Sequence, residues 1–227
     1  RNIKYGVDLI KTCSTGGVLS KGTKVGAPQY TLEELTALVD EAHSRGLKVA
    51  SHAHGSEGII NALKAGADTI EHASFIDDEG IRLAIENDAA LSMDIYVTEY
   101  ILGEGASAGI LEESLEKERK TGATQRANFR KAVEAGATIV YGTDAGVYPH
   151  GQNAKQLSRM TRFGMTPLQA IQSATMTAAK VMGWGYEVGK IEAGYAADFV
   201  AVKGNPLENI ELLEEPAAVI KGGVRYR

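Results

Sequence analysis

The sequence predicts an α/β fold of the parallel-barrel kind, followed by a small β unit. Three observations predict it. A helical stretch ending in glycine and running into a short apolar segment recurs at Gly6, Gly46, Gly66 and Gly136. Each apolar segment ends on a polar residue able to bind or move something: Lys11, His52, His72 and Asp144. In a parallel barrel the carboxyl ends of the strands meet at one face, so residues distant in sequence converge there. After Gly183 the pattern changes to short strand-like runs punctuated by glycines at turn spacing.

Each element has its own reason. Val7–Ile10 reads as a buried strand, followed by the glycine-rich loop Thr15-Gly16-Gly17 and Gly26-Ala27-Pro28. Thr31 and Glu34 have capping-box spacing and open a helix whose Leu32, Leu35, Leu38, Val39 and Ala42 keep helical period. Gly46 ends it, a strand covers Lys48–Ser51, and a short helix from about Glu57 to Ala65 buries Ile59, Ile60 and Leu63. Thr69–Glu71 is a strand, Asp78–Asn87 a helix and Ala90–Asp94 a strand. The glycine-dotted stretch Tyr96–Gly109 reads as a loop or lid over the site. Leu111–Ala135 is a long charged helix expected to break near Thr121-Gly122. A strand at Thr138–Tyr141 and helices at Ala154–Arg162 and Pro167–Met182 complete this part, Pro167 suiting a first helical turn. Beyond it, Asp198–Val202 and Ala217–Ile220 are strand-like, and Lys221-Gly222-Gly223-Val224 is a hairpin turn.

The bulk properties exclude several classes. The 227 residues are 44% hydrophobic and carry a net charge of −5. That hydrophobic fraction supports a real core. The mild negative charge and the lack of a basic stripe argue against nucleic acid as a partner. No apolar run approaches the ~20 residues of a membrane span, so no membrane partner is expected. The lone Cys13 cannot form an internal disulfide, which fits a reducing compartment and a cytoplasmic location. The chain opens on Arg1-Asn2-Ile3-Lys4 rather than Met, so the absence of a visible signal peptide carries little weight.

Five segments in a fixed order carry a resemblance: Asp8-Leu9-Ile10-Lys11, Ser51-His52-Ala53-His54-Gly55, Ile70-Glu71-His72-Ala73, Gly142-Thr143-Asp144-Ala145-Gly146, and Gly189 through Val200. Together they resemble the amidohydrolase superfamily of metal-dependent hydrolases, in particular its imidazolonepropionase-like and Xaa-Pro dipeptidase-like branch. The resemblance covers nearly the whole chain. It implies the C-terminal half of a TIM-type (β/α)8 barrel, about strands four to eight, over residues 1–183, and part of a C-terminal β-sandwich over 184–227. It also implies a His-x-His pair on a first strand, and only ten residues precede Lys11. The His52-x-His54 pair stands where such proteins carry their fifth-strand histidine. The expectation is therefore a piece of a longer protein, since a half barrel alone would expose two strand edges.

The chemistry expected follows from the residue types. Amides resist water, and a zinc-type ion supplies both a nucleophile and a Lewis acid by lowering the pKa of bound water to about 7. His52 and His72 are the natural imidazole pair for one ion. The resemblance implies Lys11 as a carbamate bridging two ions, the burial of its stem beside Leu9-Ile10 favouring the neutral amine that carbon dioxide requires. Asp144 is the expected general base and acid, and a fourth metal ligand. It takes a proton from a metal-bound hydroxide's parent water and delivers it to the leaving amine. His54, Tyr96 and His150 are candidate substrate contacts, with packing the simpler role for Tyr96. His43 reads as a solvent-facing helix residue and Cys13 as packing. The Thr15-Gly16-Gly17 loop lacks the frame of a phosphate-binding loop and reads as a close backbone approach.

The reading is thus a hydrolase of a C–N bond in a small amide, an Xaa-Pro-like dipeptide or N-acyl amino acid, using one or two Zn2+ and self-associating as a homo-oligomer. The alternatives are a mononuclear cyclic-amide hydrolase or deaminase of the imidazolonepropionase kind with Lys11 unmodified, and a non-catalytic fragment or subunit lacking the first-strand His-x-His.

Overall fold

The structure is a computed structural model, and it describes residues 2–227. Elements alternate from the start: β1 Leu9–Cys13, α1 Leu32–His43, β2 Lys48–Ala53, α2 Ser56–Lys64, β3 Thr69–His72, α3 Asp78–Glu86 and β4 Ala90–Ser92. Two helices then intervene, α4 Val97–Gly103 and α5 Glu112–Glu134, before β5 Ile139–Val140. Helices α6 Lys155–Arg162, α7 Pro167–Ser173 and α8 Met176–Met182 follow. Strands β6 Phe199–Ala201, β7 Ala218–Lys221 and β8 Val224–Arg225 close the chain. Strands β1 to β5 form one parallel sheet in sequential order, and β6 to β8 a separate antiparallel sheet.

Local chemistry accounts for the elements. Thr31 and Glu34 cap α1 reciprocally, and Thr166 with Gln169 does the same for α7 behind Pro167. Gly46, Gly66 and Gly136 lie at φ of 71, 94 and 80°, in the left-handed region that stops each helix and launches the next strand. The helices cover one face of the parallel sheet. Val49, Ala53, Ile70 and Leu91 from the strands meet Leu35, Val39, Ile59, Leu63, Phe129 and Met160 from the helices, all at 2% exposure or less.

Five expectations need correction. The first strand is Leu9–Cys13 and not a buried run: Leu9 is 47% exposed, and Lys11 and Cys13 are also exposed. The side of β1 that carries Leu9, Lys11 and Cys13 is open to solvent, so the packing role expected of Cys13 is absent. The Tyr96–Gly109 stretch is not all loop but contains α4, which buries Val97, Tyr100 and Ile101. Helix α5 runs unbroken through Thr121-Gly122. A Cβ on Gly122 would collide with Thr98 of α4 and Glu118, so this glycine lets two helices approach and does not break one. Finally, the helix expected over Pro167–Met182 is two. Thr175 (φ −126, ψ −102) interrupts it, its hydroxyl donating to Ile171 O at 2.8 Å.

Among the described residues no helix is long and apolar enough to cross a membrane. The tail is tied to the α/β part through Ile210, which joins the main core, and through Glu214, whose carboxylate accepts from Ser158 at 2.7 Å and pairs with Arg159 at 3.5 Å.

Candidate metal centre

The strand register decides which side chains share a face. Cys13 pairs with His52, His52 with Glu71, and Glu71 with Ser92, forming one row across the sheet. Lys11, Ala50, Thr69 and Ala90 form the next row toward the amino ends. On β2 the buried Val49, Ser51 and Ala53 face the helices, which puts Ala50 and His52 on the opposite face. Strand period alone would send His72 toward the helices with Ile70. The backbone prevents this: His72 and Ala73 take φ of 68 and 47° and end the alternation. His54 follows the end of β2, its N–H donating to Thr15 Oγ1 at 2.9 Å.

The three imidazoles come together. Ring centroids lie 4.9 Å apart for His52 and His54, 4.6 Å for His52 and His72, and 4.7 Å for His54 and His72. One ring nitrogen from each lies within 4.8 Å of the others. A second group satisfies the same 4.8 Å limit, His72 with Asp94 and Asp144, so His72 belongs to both. Asp144 also adopts a left-handed backbone, with φ of 49°. A cavity of about 90 Å3 borders the cluster, and Val18, Leu19, Val97, Ile101 and Val147 supply its apolar wall.

The electrostatics suit metal ligation. Burial, then the charges of His72 and Lys11, push the His52 pKa down to about 4. Burial, then His72 and His52, hold His54 well below the ordinary range. Both rings are therefore neutral near pH 7 and have a free lone pair. Burial opposes charge on His72, but Asp94 outweighs it through its charge and a 3.0 Å hydrogen bond to Nδ1, and the pKa is raised. Burial also opposes ionisation of Asp94, and His72 overcomes it to hold that carboxyl at about 2. Asp144 remains open to solvent on one side, and desolvation of its inner side followed by the charge of Asp94 raises its pKa. The two groups of three, sharing His72, offer the nitrogen and oxygen donors that zinc-type ions take.

The sequence candidates divide. His52, His54, His72 and Asp144 are brought together. Lys11 lies one inward row below His52, about 6.6 Å along the strand and within a lysine's reach. It is exposed, so these residues do not provide the burial expected for its stem. Tyr96 is buried, and its hydroxyl donates to Gln152 Oε1 at 2.9 Å and does not join the cluster. His150 is exposed and is not among the clustered ligand groups. His43 is solvent-facing as expected, with Nε2 2.8 Å from Asp68.

Sequence reading missed Asp94, Ser74, Glu118 and Gln125. Asp94 carries the signal that singled out the others, a polar residue closing an apolar strand. Glu118 and Gln125 share the stripe of α5 that holds Leu115, Gly122, Phe129 and Ala132, where buried polar side chains are unexpected.

A parallel α/β sheet thus gathers imidazoles and carboxylates at its strand ends, a donor set of the kind metal-dependent enzymes use. Comparison with known proteins narrows the class. The amidohydrolase family model matches residues 1–225, and the chain belongs to that family. Ochratoxinase of Aspergillus niger is 35% identical over 230 residues, 99% of this chain and 47% of that protein. The crystal structure of a Xaa-Pro dipeptidase with bound methionine in the active site superposes with a TM-score of 0.93 at 43% identity, over 99% of this chain and 56% of that one. Imidazolonepropionase of Geobacillus sp. (strain WCH70) is 27% identical over 179 residues, 75% of this chain and 37% of that protein. The chain thus spans about half the length of the relatives it matches.

Proposed function

We propose that residues 1–183 supply about strands four to eight of a TIM-type (β/α)8 barrel and residues 184–227 part of a C-terminal β-sandwich, in a metal-dependent hydrolase of a small amide. The substrate class is an Xaa-Pro-like dipeptide or an N-acyl amino acid, cleaved at its C–N bond. The sequential order of the five parallel strands and relatives of about twice this length support the architecture. The observation that carries the function is the convergence of His52, His54, His72 and Asp144 at strand ends.

In this reading His52, His72 and Asp144 hold the metal, with Lys11 joining them as a carbamate. A bound divalent ion supplies acidified water and a polarised carbonyl. The protein's own groups do the rest. Asp144 takes the proton from the attacking water and returns it to the leaving amine. His54, held at Nδ1 by Ser74 Oγ at 2.8 Å, keeps Nε2 free of that bond and orients the substrate. The apolar wall of Val18, Leu19, Val97 and Ile101 excludes water from the scissile bond.

Metal analysis and turnover of an amide and dipeptide library by the protein expressed from its complete reading frame test this. Asp144→Asn is expected to lower kcat/KM by at least ~10³-fold, within the range of general acid–base contributions. Unchanged turnover in Asp144→Asn would refute it. The exposure of Lys11 favours one second reading, a mononuclear cyclic-amide hydrolase with unmodified lysine. A mass increase of one carbon dioxide on Lys11, or two metals per chain, excludes that alternative.

A further inference from the structure

Helix α5 touches the metal centre from behind through a polar stripe that the reaction above does not use. Gln125, 3% exposed, directs Nε2 at two acceptors: Asp94 Oδ1 at 3.1 Å and the His72 carbonyl oxygen at 3.0 Å. Both partners only accept, so the amide has a single orientation that satisfies them. Asp94 Oδ1 is in turn 3.0 Å from His72 Nδ1. An ionised carboxylate can only accept, so Nδ1 must carry a hydrogen, and Nε2 is the nitrogen left to face an ion. One turn further on, Asn128 Nδ2 donates to the Ser74 carbonyl oxygen at 3.0 Å, and Ser74 Oγ lies 2.8 Å from His54 Nδ1.

We infer that α5 is a positioning helix for the metal ligands: Gln125 fixes the tautomer and orientation of His72 through Asp94 and the His72 backbone, and Asn128 supports His54 through Ser74. The inference rests on the metal-site reading above and deepens it. The left-handed backbone at His72 gives Gln125 its importance. With φ of 68° at His72 and 47° at Ala73, strand geometry does not hold this ring in place. The Gln125 bond to the His72 carbonyl adds a restraint from α5 to the pairing of His72 with Ala53. Partners of this kind behind metal ligands are typically worth 10–100-fold in metal affinity or activity. Gln125 touches neither substrate nor reacting atoms, so it is a positioning residue.

The test uses protein from the complete reading frame, stripped of metal and titrated with Zn2+ against a chromogenic chelator. Gln125→Met keeps volume and removes both donors; it is expected to weaken Zn2+ binding about 10- to 100-fold and to shift the visible spectrum of the Co2+-loaded protein. Phe129→Leu, one turn along α5 and facing the core, is expected to lower the melting temperature and leave Zn2+ affinity unchanged. Folded Gln125→Met with wild-type Zn2+ affinity and Co2+ spectrum would overturn the inference. Should Gln125→Met not fold, the imidazole 15N shifts of metal-free wild type decide: a hydrogen on His72 Nδ1 supports the inference, and one on Nε2 alone overturns it. The two readings separate cleanly. Zn2+ uptake unchanged in His72→Ala removes the metal-site reading itself, whereas loss in His72→Ala without loss in Gln125→Met removes only the role of α5.

Discussion

Glu118 offers the sharpest test of how this interior is organised. It is 3% exposed on α5, hydrogen-bonded to the Thr98 hydroxyl of α4 and bordering the cavity beside the cluster. Burial, which the Thr98 hydrogen bond only partly offsets, raises its pKa from 4.5 to about 7, with the nearby Asp94 charge adding to the rise. Below pH 4.5 the carboxyl is protonated in the folded and unfolded chain alike. Between there and pH 7 the unfolded chain ionises while the folded one stays neutral, so stability falls as pH rises. The full loss, about 3 kcal/mol at 1.36 kcal/mol per pH unit, is present above the folded pKa. Glu118→Gln keeps the shape and a partner for Thr98 but cannot ionise. The variant is therefore expected to match the wild type at pH 4 and to exceed it at pH 8 by about 3 kcal/mol, or roughly 6–12 °C in melting temperature for a chain of this size. Thermal melts of metal-free protein from pH 4 to 8 read the difference between the two proteins, which removes every other titrating group from the comparison. A wild-type-minus-variant difference that does not change with pH would refute the reasoning.

The other expectations concern the scaffold and the ion. Gly122→Ala places a methyl against Thr98 and Glu118, and the overpacking should cost about 1–3 kcal/mol, read by urea denaturation. Phe129→Ala, at 0% exposure in the main core, should lose about 3–5 kcal/mol in the same assay. Saturating Zn2+ at ~100 times its dissociation constant should stabilise the protein by about 2.7 kcal/mol; a chelator should reverse the gain, and His72→Ala should lack it.

How legible the molecule was in its sequence follows from the range of each interaction. The capping box at Thr31, Pro167 in the first turn of α7, the helix-stopping Gly46, Gly66 and Gly136, and the turn joining β7 to β8 all depend on neighbours a few residues away, and all were readable. What failed depended on partners far along the chain. Gly122 reads as a helix breaker until Thr98 occupies the space its missing side chain leaves. A glycine in a helix costs roughly 1 kcal/mol relative to alanine, and the packing of α4 against α5 offsets it. Helix α4 hides among glycines because its apolar spacing, Val97, Tyr100 and Ile101, spans less than two turns. The exposure of Lys11 and Cys13 reflects the open edge of β1, which local pattern does not show.

The site candidates that converge do so partly by departing from regular structure, and this explains why Asp94 and Gln125 escaped a pattern-based reading. Sheet alternation puts His52 on its face without extra cost. His72 reaches the cluster only by leaving the sheet conformation. Among the described residues, non-glycine positive φ occurs at His72, Ala73, Asp88 and Asp144, so three of four such positions lie at the cluster. Each costs of order 1–3 kcal/mol, and such strain persists only where surrounding contacts over-determine it. Those contacts are present: the Ala73 N–H donates to Ala53 O at 3.1 Å, Gln125 holds the His72 carbonyl, and Asp94 holds the His72 ring. Strain and its restraints therefore form one system. A pattern of period 2 or 3.6 can locate the histidines, but the groups that aim them are set by the restraints on that strained turn, and those come from β2, from Asp94 after β4 and from α5.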